Sequence, residues 1–297
     1  MRGKFFDKLI KEMRKDEKIF FLMGDTGFGL VEPIFEEFPE RSLNVGIAEQ
    51  NMIGIAAGLS NAGFRPVCYA ITNFLVFRCL EQIRNDVALH NYPVILVGTS
   101  TGFDHGKLWA SHYVTDDIGC MKSIPNLNIY SPSSSESIDK IFEDIIKCKN
   151  PCYLRISKSD FSEMKEIERI NRYIVKNNEA NVLVISHGKM IKNSYECYKI
   201  FPKFSIFALD KIKPLEENYI EKILNDYQDI VVIEDNFNSG LFNSLCQFVI
   251  EKKINKINIH SISPNEIFEA EIGDTETLEK RYGLNTEHII KFLKNIL

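Results

Sequence analysis

The sequence predicts an α/β protein of two doubly wound domains, and three observations carry that prediction. Short apolar runs of strand length alternate with amphipathic helical segments from end to end. The runs are bounded by Gly, Pro, Asn or Ser, and one polar stretch near residues 159–181 interrupts the alternation. Apolar runs alternating with helices read as parallel strands joined by crossover helices. At 297 residues there is room for two ordinary domains.

Residues 1–160 form the first domain. A helix from Lys4 to Lys15 leads into the strand Ile19–Met23, which ends in Gly24-Asp25-Thr26-Gly27. Further strands are expected at Pro66–Ile71, Pro93–Thr99, Leu127–Tyr130 and Cys152–Ile156, with helices at Glu49–Ala62, Phe74–His90 and Glu136–Lys147. Residues 161–180, with Glu163-Met164-Lys165-Glu166-Ile167-Glu168-Arg169 and Asn177-Asn178-Glu179, are polar and read as a linker. The smaller domain, 181–297, restarts the pattern with strands at Val182–Ile185, Ser205–Leu209, Ile230–Ile233 and Ile257–Ile259. Its helices fall at Met190–Ile200, Glu216–Asn225, Leu241–Glu251 and Glu287–Leu297.

Composition removes several function classes. A net charge of −5 lacks the basic surplus of a sequence-independent nucleic-acid binder. No apolar run reaches the roughly 18 residues of a membrane span. Charge interrupts the N-terminus too early for a secretory signal, so a cytoplasmic protein is expected. Seven cysteines are odd in number and scattered, and Cys148 and Cys152 lack a CxxC spacing, so reduced thiols and no zinc site are expected.

The chemistry is concentrated in Asn44-Val45-Gly46-Ile47-Ala48-Glu49-Gln50-Asn51-Met52-Ile53-Gly54-Ile55-Ala56-Ala57-Gly58-Leu59. Gly54, Ala56, Ala57 and Gly58 leave this helix nearly bare, at about 1 kcal/mol per Gly relative to Ala. Close backbone packing against another helix, common at subunit interfaces, would justify that cost. Glu49 by itself reads as a first-turn carboxylate favoured by the helix dipole. Phe74 and Phe77, at i and i+3, fit an ordinary core face or an aromatic wall.

The segment resembles the I-A-E-Q-N-M-x-G-x-A-A-G-L signature of transketolases. The likeness continues through Gly63-Phe64-Arg65-Pro66, Asn73-Phe74-Leu75-Val76-Phe77 and Ser123-Ile124-Pro125-Asn126-Leu127. It reaches Lys213-Pro214-Leu215 and Val232-Ile233-Glu234-Asp235, so it spans essentially the whole chain. It implies a pyrimidine-binding domain followed by a transketolase C-terminal-type domain, with thiamine diphosphate as cofactor. Glu49 would share a proton with N1′ of the aminopyrimidine, work suited to a carboxylate in a water-poor pocket. Phe77, and with it Phe74, would wall the ring. Where a third aromatic often follows, this chain has Leu80. Asp25 stands where related enzymes also place Asp near the cofactor.

The loop from Gly102 to His112 aligns without gaps to the family's G-x-x-x-G-x-D-G-P-T-H, and His112 matches the His that reaches substrate. The family Asp, which reads a substrate hydroxyl, is replaced by Leu108, and the Gly-Pro pair by Trp109-Ala110. Losing a hydrogen-bond acceptor changes which substrate fits. Lys158 stands where an Arg usually holds a sugar phosphate; Lys binds phosphate without the bidentate fork. Arg155 has no settled role by sequence.

The G-D-G…N element that binds Mg²⁺ and the diphosphate is missing. Gly24-Asp25-Thr26 with Asn51 mimics its spacing, but Asn51 belongs to the Glu49 helix, so no metal ligands are assigned. His187-Gly188-Lys189 lacks the glycines of a phosphate loop. The resemblance therefore implies one subunit of a split enzyme. It would be active only with an N-terminal, diphosphate-binding partner that carries the Mg²⁺ ligands, and would self-associate into an α2β2 assembly acting on a sugar or sugar phosphate. Other readings are an enzyme like 1-deoxyxylulose-phosphate synthase, a 2-oxo acid dehydrogenase β subunit, and a non-catalytic regulatory subunit. Phe74–Phe77 disfavours the first, Ile47-Ala48-Glu49-Gln50 the second, and Glu49 with His112 the third.

Overall fold

The apolar runs become the central strands of two sheets. The computed structural model describes residues 1–162, 167–268 and 272–297. The strands are β1 (Ile19–Met23), β2 (Ser42–Asn44), β3 (Arg65–Ile71), β4 (Ile95–Thr99), β5 (Asn128–Tyr130) and β6 (Cys152–Ile156). They continue with β7 (Arg172–Val175), β8 (Val182–Ser186), β9 (Ser205–Ala208), β10 (Lys211–Lys213), β11 (Asp229–Ile233) and β12 (Asn258–Ile262). The first sheet has the order β10-β5-β6-β4-β3-β1-β2, and the second β12-β11-β8-β9-β7. All neighbours are parallel except β10 against β5 and β7 against β9. The chain is thus an α/β protein with two mixed, mostly parallel sheets.

Strands β4, β6 and β8 are buried along their full length, because crossover helices cover both faces. On one face, Phe5, Phe6, Leu9 and Met13 of the helix Arg2–Met13 pack with Ile138, Ile141 and Phe142 of the helix Ser135–Ile145. The other face takes Met52, Ile53 and Ala56 of the helix Glu49–Asn61, in a cluster that runs on to Leu183, Phe207 and Ile230 of the second sheet.

Several elements differ from the sequence expectation. The strands β2, β7 and β10 are unexpected; each sits at a sheet edge, where no continuous apolar run is needed. The stretch read as a linker, 161–180, therefore contains β7 of the second sheet, and β10 returns from beyond residue 181 to the first sheet. Residues 163–166 of that stretch lie outside the described residues. The helix expected over Phe74–His90 is broken. It runs over Thr72–Phe77, turns at Arg78 and Cys79, resumes at Leu80–Gln82 and widens into a π-helical turn at Ile83–Ala88. Short helices at Glu32–Glu37, Asp117–Lys122 and Thr275–Arg281 are additions.

Polar side chains tie the domains together. Arg155 is fully buried, with Nε donating to Asp117 Oδ2 at 2.8 Å and Nη1 lying 2.9 Å from Asp235 Oδ1. Asn236 Nδ2 donates to Asp117 Oδ1 at 3.1 Å, and His187 Nδ1 is 3.0 Å from Ser131 Oγ. Glu234 accepts from the backbone N–H groups of Leu241 and Phe242, both at 2.8 Å, at the start of the helix Leu241–Glu251. Lys213 Nζ donates to the carbonyl of Lys122 at 2.8 Å. The second-domain motifs that resemble transketolase thus include the residues of this seam. Arg155 belongs to it and is closed off from solvent, so its role is structural.

Candidate functional site

Glu49 opens its helix at the ends of β1 and β3, with its side chain only 2% exposed. Gly24, just past β1, makes that burial possible: a Cβ there would stand 3.2 Å from Glu49 Cγ. One guanidinium nitrogen of Arg78 donates to Glu49 Oε2. Arg78 also lies over the Phe74 ring, 4.6 Å from its centroid. Arg78 directly follows that short helix and keeps helical angles, φ −68 and ψ −28, so its side chain lies one turn on from Phe74.

From Phe74 the contacts pass to the loop. Its ring meets His112 edge-on at 5.2 Å between centroids, and His112 Nδ1 is 2.9 Å from Ser111 Oγ. His105 lies 6.3 Å from His112, and Lys158 Nζ is 3.5 Å from His105 Nδ1. Burial first, then the charges of Lys158, His112 and Arg2, push the His105 pKa down to about 4. Burial raises the Asp104 carboxyl above its usual range, while its Oδ2 accepts from the Lys158 backbone N–H at 2.7 Å.

The second domain clamps this loop. At Gly102, with φ +54, a Cβ would meet Asp235 Oδ2 at 2.1 Å, and Thr275 Oγ1 donates to the Phe103 carbonyl at 3.1 Å. Trp109 has φ 66 and ψ −174, a region essentially reserved for glycine. It is where the family pattern has Gly, so the backbone keeps a glycine's shape under a tryptophan.

Of the residues singled out by sequence, the structure links Glu49, Phe74, His112 and Lys158 through Arg78 and His105. Phe77, 37% exposed, ends the same short helix as Phe74. Leu108 and Trp109 are exposed on the loop. Asp25 is exposed and exchanges hydrogen bonds with Asn44, its Oδ1 accepting from Asn44 Nδ2 at 2.9 Å. Among the described residues there is no group of three or more His, Cys, Asp or Glu placed to hold a metal ion. Arg78 and His105 were missed by sequence reasoning. The only signal for Arg78 was a cation directly after the aromatic pair.

Two α/β domains, with a buried carboxylate at a helix start joined through Arg78 to an aromatic ring, frame the candidate site. Residues 1–163 match the family described as the transketolase pyrimidine binding domain, and the chain belongs to that family. A protein named as a transketolase C-terminal section, from Methanocaldococcus jannaschii, is 30% identical over 98% of this chain and 94% of its own length. One subunit of an apulose-4-phosphate transketolase from Actinobacillus succinogenes is 27% identical over 89% of this chain and 88% of its own. Among solved structures, a split-gene transketolase described as an inactive β4 tetramer superposes with a TM-score of 0.86 at 23% identity, over 99% and 97% of the two chains. This chain is thus the pyrimidine-binding and C-terminal part of a thiamine-diphosphate enzyme of the transketolase type.

The residues present fit that cofactor's pyrimidine. Glu49 has a buried carboxylate, Gly24 leaves the clearance beside it, and the Phe74 ring is joined to it through Arg78. The cation Arg78 on Glu49 is a feature the resemblance did not imply.

Proposed function

We propose that this chain is the pyrimidine-binding subunit of a split enzyme that transfers a two-carbon ketol unit between sugars or sugar phosphates. The observation that carries the reading is the buried Glu49 carboxylate, joined through Arg78 and Phe74 to His112. When bound, thiamine diphosphate would supply the carbon that attacks the donor carbonyl. Glu49 would hold a proton at N1′, and Phe74 and Phe77 would keep the ring in place. His112 would hydrogen-bond a substrate oxygen near the reacting carbon. Lys158 would offer one point charge to a phosphate, and Asp25 would lie at the edge of the cofactor.

The diphosphate and Mg²⁺ would be held by an N-terminal partner subunit, giving an α2β2 enzyme in the cytoplasm. Support for a partner comes from the two relatives, one named as a C-terminal section and the other as a single subunit of its transketolase. Support for self-association comes from the helix Glu49–Asn61: at Gly54 and Gly58 an added Cβ would meet nothing within 4 Å, and neighbouring Ile47 is 76% exposed. Gly54 and Gly58 thus face open space among the described residues.

Leu108 and Trp109 favour an unusual substrate, and the apulose-4-phosphate transketolase relative puts apulose 4-phosphate on the panel to try. The test is to reconstitute this chain with its companion, thiamine diphosphate and Mg²⁺, and to assay ketol transfer between sugar phosphates. Pyruvate with glyceraldehyde 3-phosphate serves as the rival donor pair. Activity only with pyruvate would favour the 1-deoxyxylulose-phosphate-synthase-like reading. Inactivity with every donor, despite tight cofactor binding by the complex, would favour a regulatory subunit.

A further inference from the structure

At the end of the first sheet away from Glu49, two thiols stand together. Cys152 is the first residue of β6, paired with Ile95 of β4 and Asn128 of β5, and its side chain is buried. Cys148 precedes it in the connection from the helix Ser135–Ile145 and is half-buried. Asn128 Nδ2 lies 3.0 Å from Cys148 Sγ and 3.8 Å from Cys152 Sγ, so one amide donor bridges both sulfurs. The connection is itself tied down, with Arg65 Nη1 donating to the Cys148 carbonyl at 2.8 Å.

We propose that Cys148 and Cys152 are a modification site for hydroperoxides, with Cys148 the attacking sulfur and Cys152 the resolving one. Besides the shared amide, the groups facing Cys148 are Lys211, whose Nζ pairs with Asp144 Oδ2 at 2.8 Å, and that Asp144 carboxylate. A hydrogen bond from the Cys152 thiol brings the Cys148 pKa down to about 6 against its burial; the Asn150 backbone and Lys211 add to this and Asp144 opposes it. Burial instead raises the thiols of Cys68, Cys79, Cys120, Cys197 and Cys246. A partly exposed low-pKa thiol is the reactive kind.

The chemistry balances with the peroxide as oxidant. The Cys148 thiolate attacks one peroxide oxygen, an S–O bond forms, the O–O bond breaks and the alkoxide leaves as alcohol after taking a proton. The Cys152 sulfur then attacks Cys148. The S–S bond forms, the S–O bond breaks, and hydroxide leaves as water with the Cys152 proton. Two thiols are oxidised to a disulfide, and one hydroperoxide is reduced to an alcohol and water.

The full chain, treated at pH 7 with a small excess of hydrogen peroxide and then alkylated, should lose two of its seven titratable thiols. The peptide spanning 148–152 should become lighter by two hydrogens. Without peroxide, iodoacetamide should label Cys148 about ten-fold faster than the half-buried Cys120 and Cys246, allowing for the lower nucleophilicity of a low-pKa thiolate. Cys152→Ser, which keeps an O–H donor beside Cys148, should trap a dimedone-reactive sulfenic acid at Cys148, and Cys148→Ser should abolish the response. Survival of all seven thiols, oxidation mapped elsewhere, or labelling of Cys148 no faster than Cys120 would overturn the proposal; the last measurement needs no variant.

Discussion

Arg78 donates to the buried Oε2 of Glu49 while its guanidinium lies over Phe74, 4.6 Å from the ring centroid, so one cation joins the inferred cofactor carboxylate to the aromatic wall. A carboxylate only 2% exposed needs a compensating partner, and Arg78, itself 38% exposed, keeps part of its charge in water. A cofactor ring approaching Glu49 would meet this pair already formed.

Arg78→Met should therefore destabilise the isolated chain by about 1–2 kcal/mol, toward the low end for a hydrogen bond to a charged group because Arg78 is partly solvated. Arg78→Lys should recover part of that, keeping the charge but losing the planar stack. Urea unfolding of the three proteins checks it. Wild-type stability in Arg78→Met would mean that Glu49 is satisfied by something other than this pair.

Glu49→Gln should leave folding nearly unchanged and lower turnover of the reconstituted enzyme by about two or more orders of magnitude, the usual cost of losing a positioned proton-transfer group. Hydrogen–deuterium exchange at C2 of the bound cofactor separates this from a binding defect. Exchange in the mutant as fast as in the wild type would remove Glu49 from the proposed role.

His105 offers a pH test of the loop. Its folded pKa, about 4, lies below the unfolded value of about 6.5, so between these limits the unfolded chain binds more protons. The His105 contribution therefore weakens the fold as pH falls from about 6.5 to 4 and adds no penalty above that window. His105→Asn should flatten that part of the stability–pH curve. Lys158→Met should raise the NMR titration midpoint of His105 only partway, since burial is the larger cause. An unmoved midpoint would show that Lys158 does not face the ring.

The centres of the sheets were legible because strands buried on both faces must be apolar throughout; β1 and β6 have the expected bounds. Edges were not, since Ser42–Asn44, Arg172–Val175 and Lys211–Lys213 are only three or four residues long. At the site, Glu49, Phe74 and His112 were each singled out by the resemblance, whereas the Phe74–His112 contact was not. Arg78 was hidden because its partner Glu49 stands 29 residues earlier, on a different helix. Arg155 remained ambiguous because its partners, Asp117 and Asp235, lie 38 residues before it and in the other domain.

Trp109→Gly should stabilise the chain by about 1 kcal/mol, because φ 66 with ψ −174 strains a residue with a side chain by about 1–3 kcal/mol and glycine gives back some of that as unfolded-state entropy. Combined with Leu108→Asp, it should improve turnover of xylulose 5-phosphate relative to the natural substrate by restoring an acceptor for a hydroxyl. Steady-state comparison of the two proteins decides. A wild-type enzyme already efficient with xylulose 5-phosphate would refute the link between this loop and substrate choice.

The final prediction is that the isolated chain binds thiamine diphosphate weakly or not at all. In the proposed site the chain would offer Glu49, Phe74 and Phe77 to the pyrimidine, and among its described residues no acidic, His or Cys group of three is placed for a metal. Charge-assisted bonds are the strong ones, so the missing diphosphate and Mg²⁺ contacts would provide much of the affinity. Arg78 adds to the deficit, because any ring reaching Glu49 must share or displace it. Calorimetric titration of cofactor and Mg²⁺ should give little heat with this chain alone and a clear isotherm once the companion subunit is present. The chain should still self-associate, and Gly54→Leu with Gly58→Leu should shift it toward monomer in sedimentation, since both side chains would project into the space a second helix would use. Tight cofactor binding and ketol transfer without any companion would show that the diphosphate has a home in this chain after all.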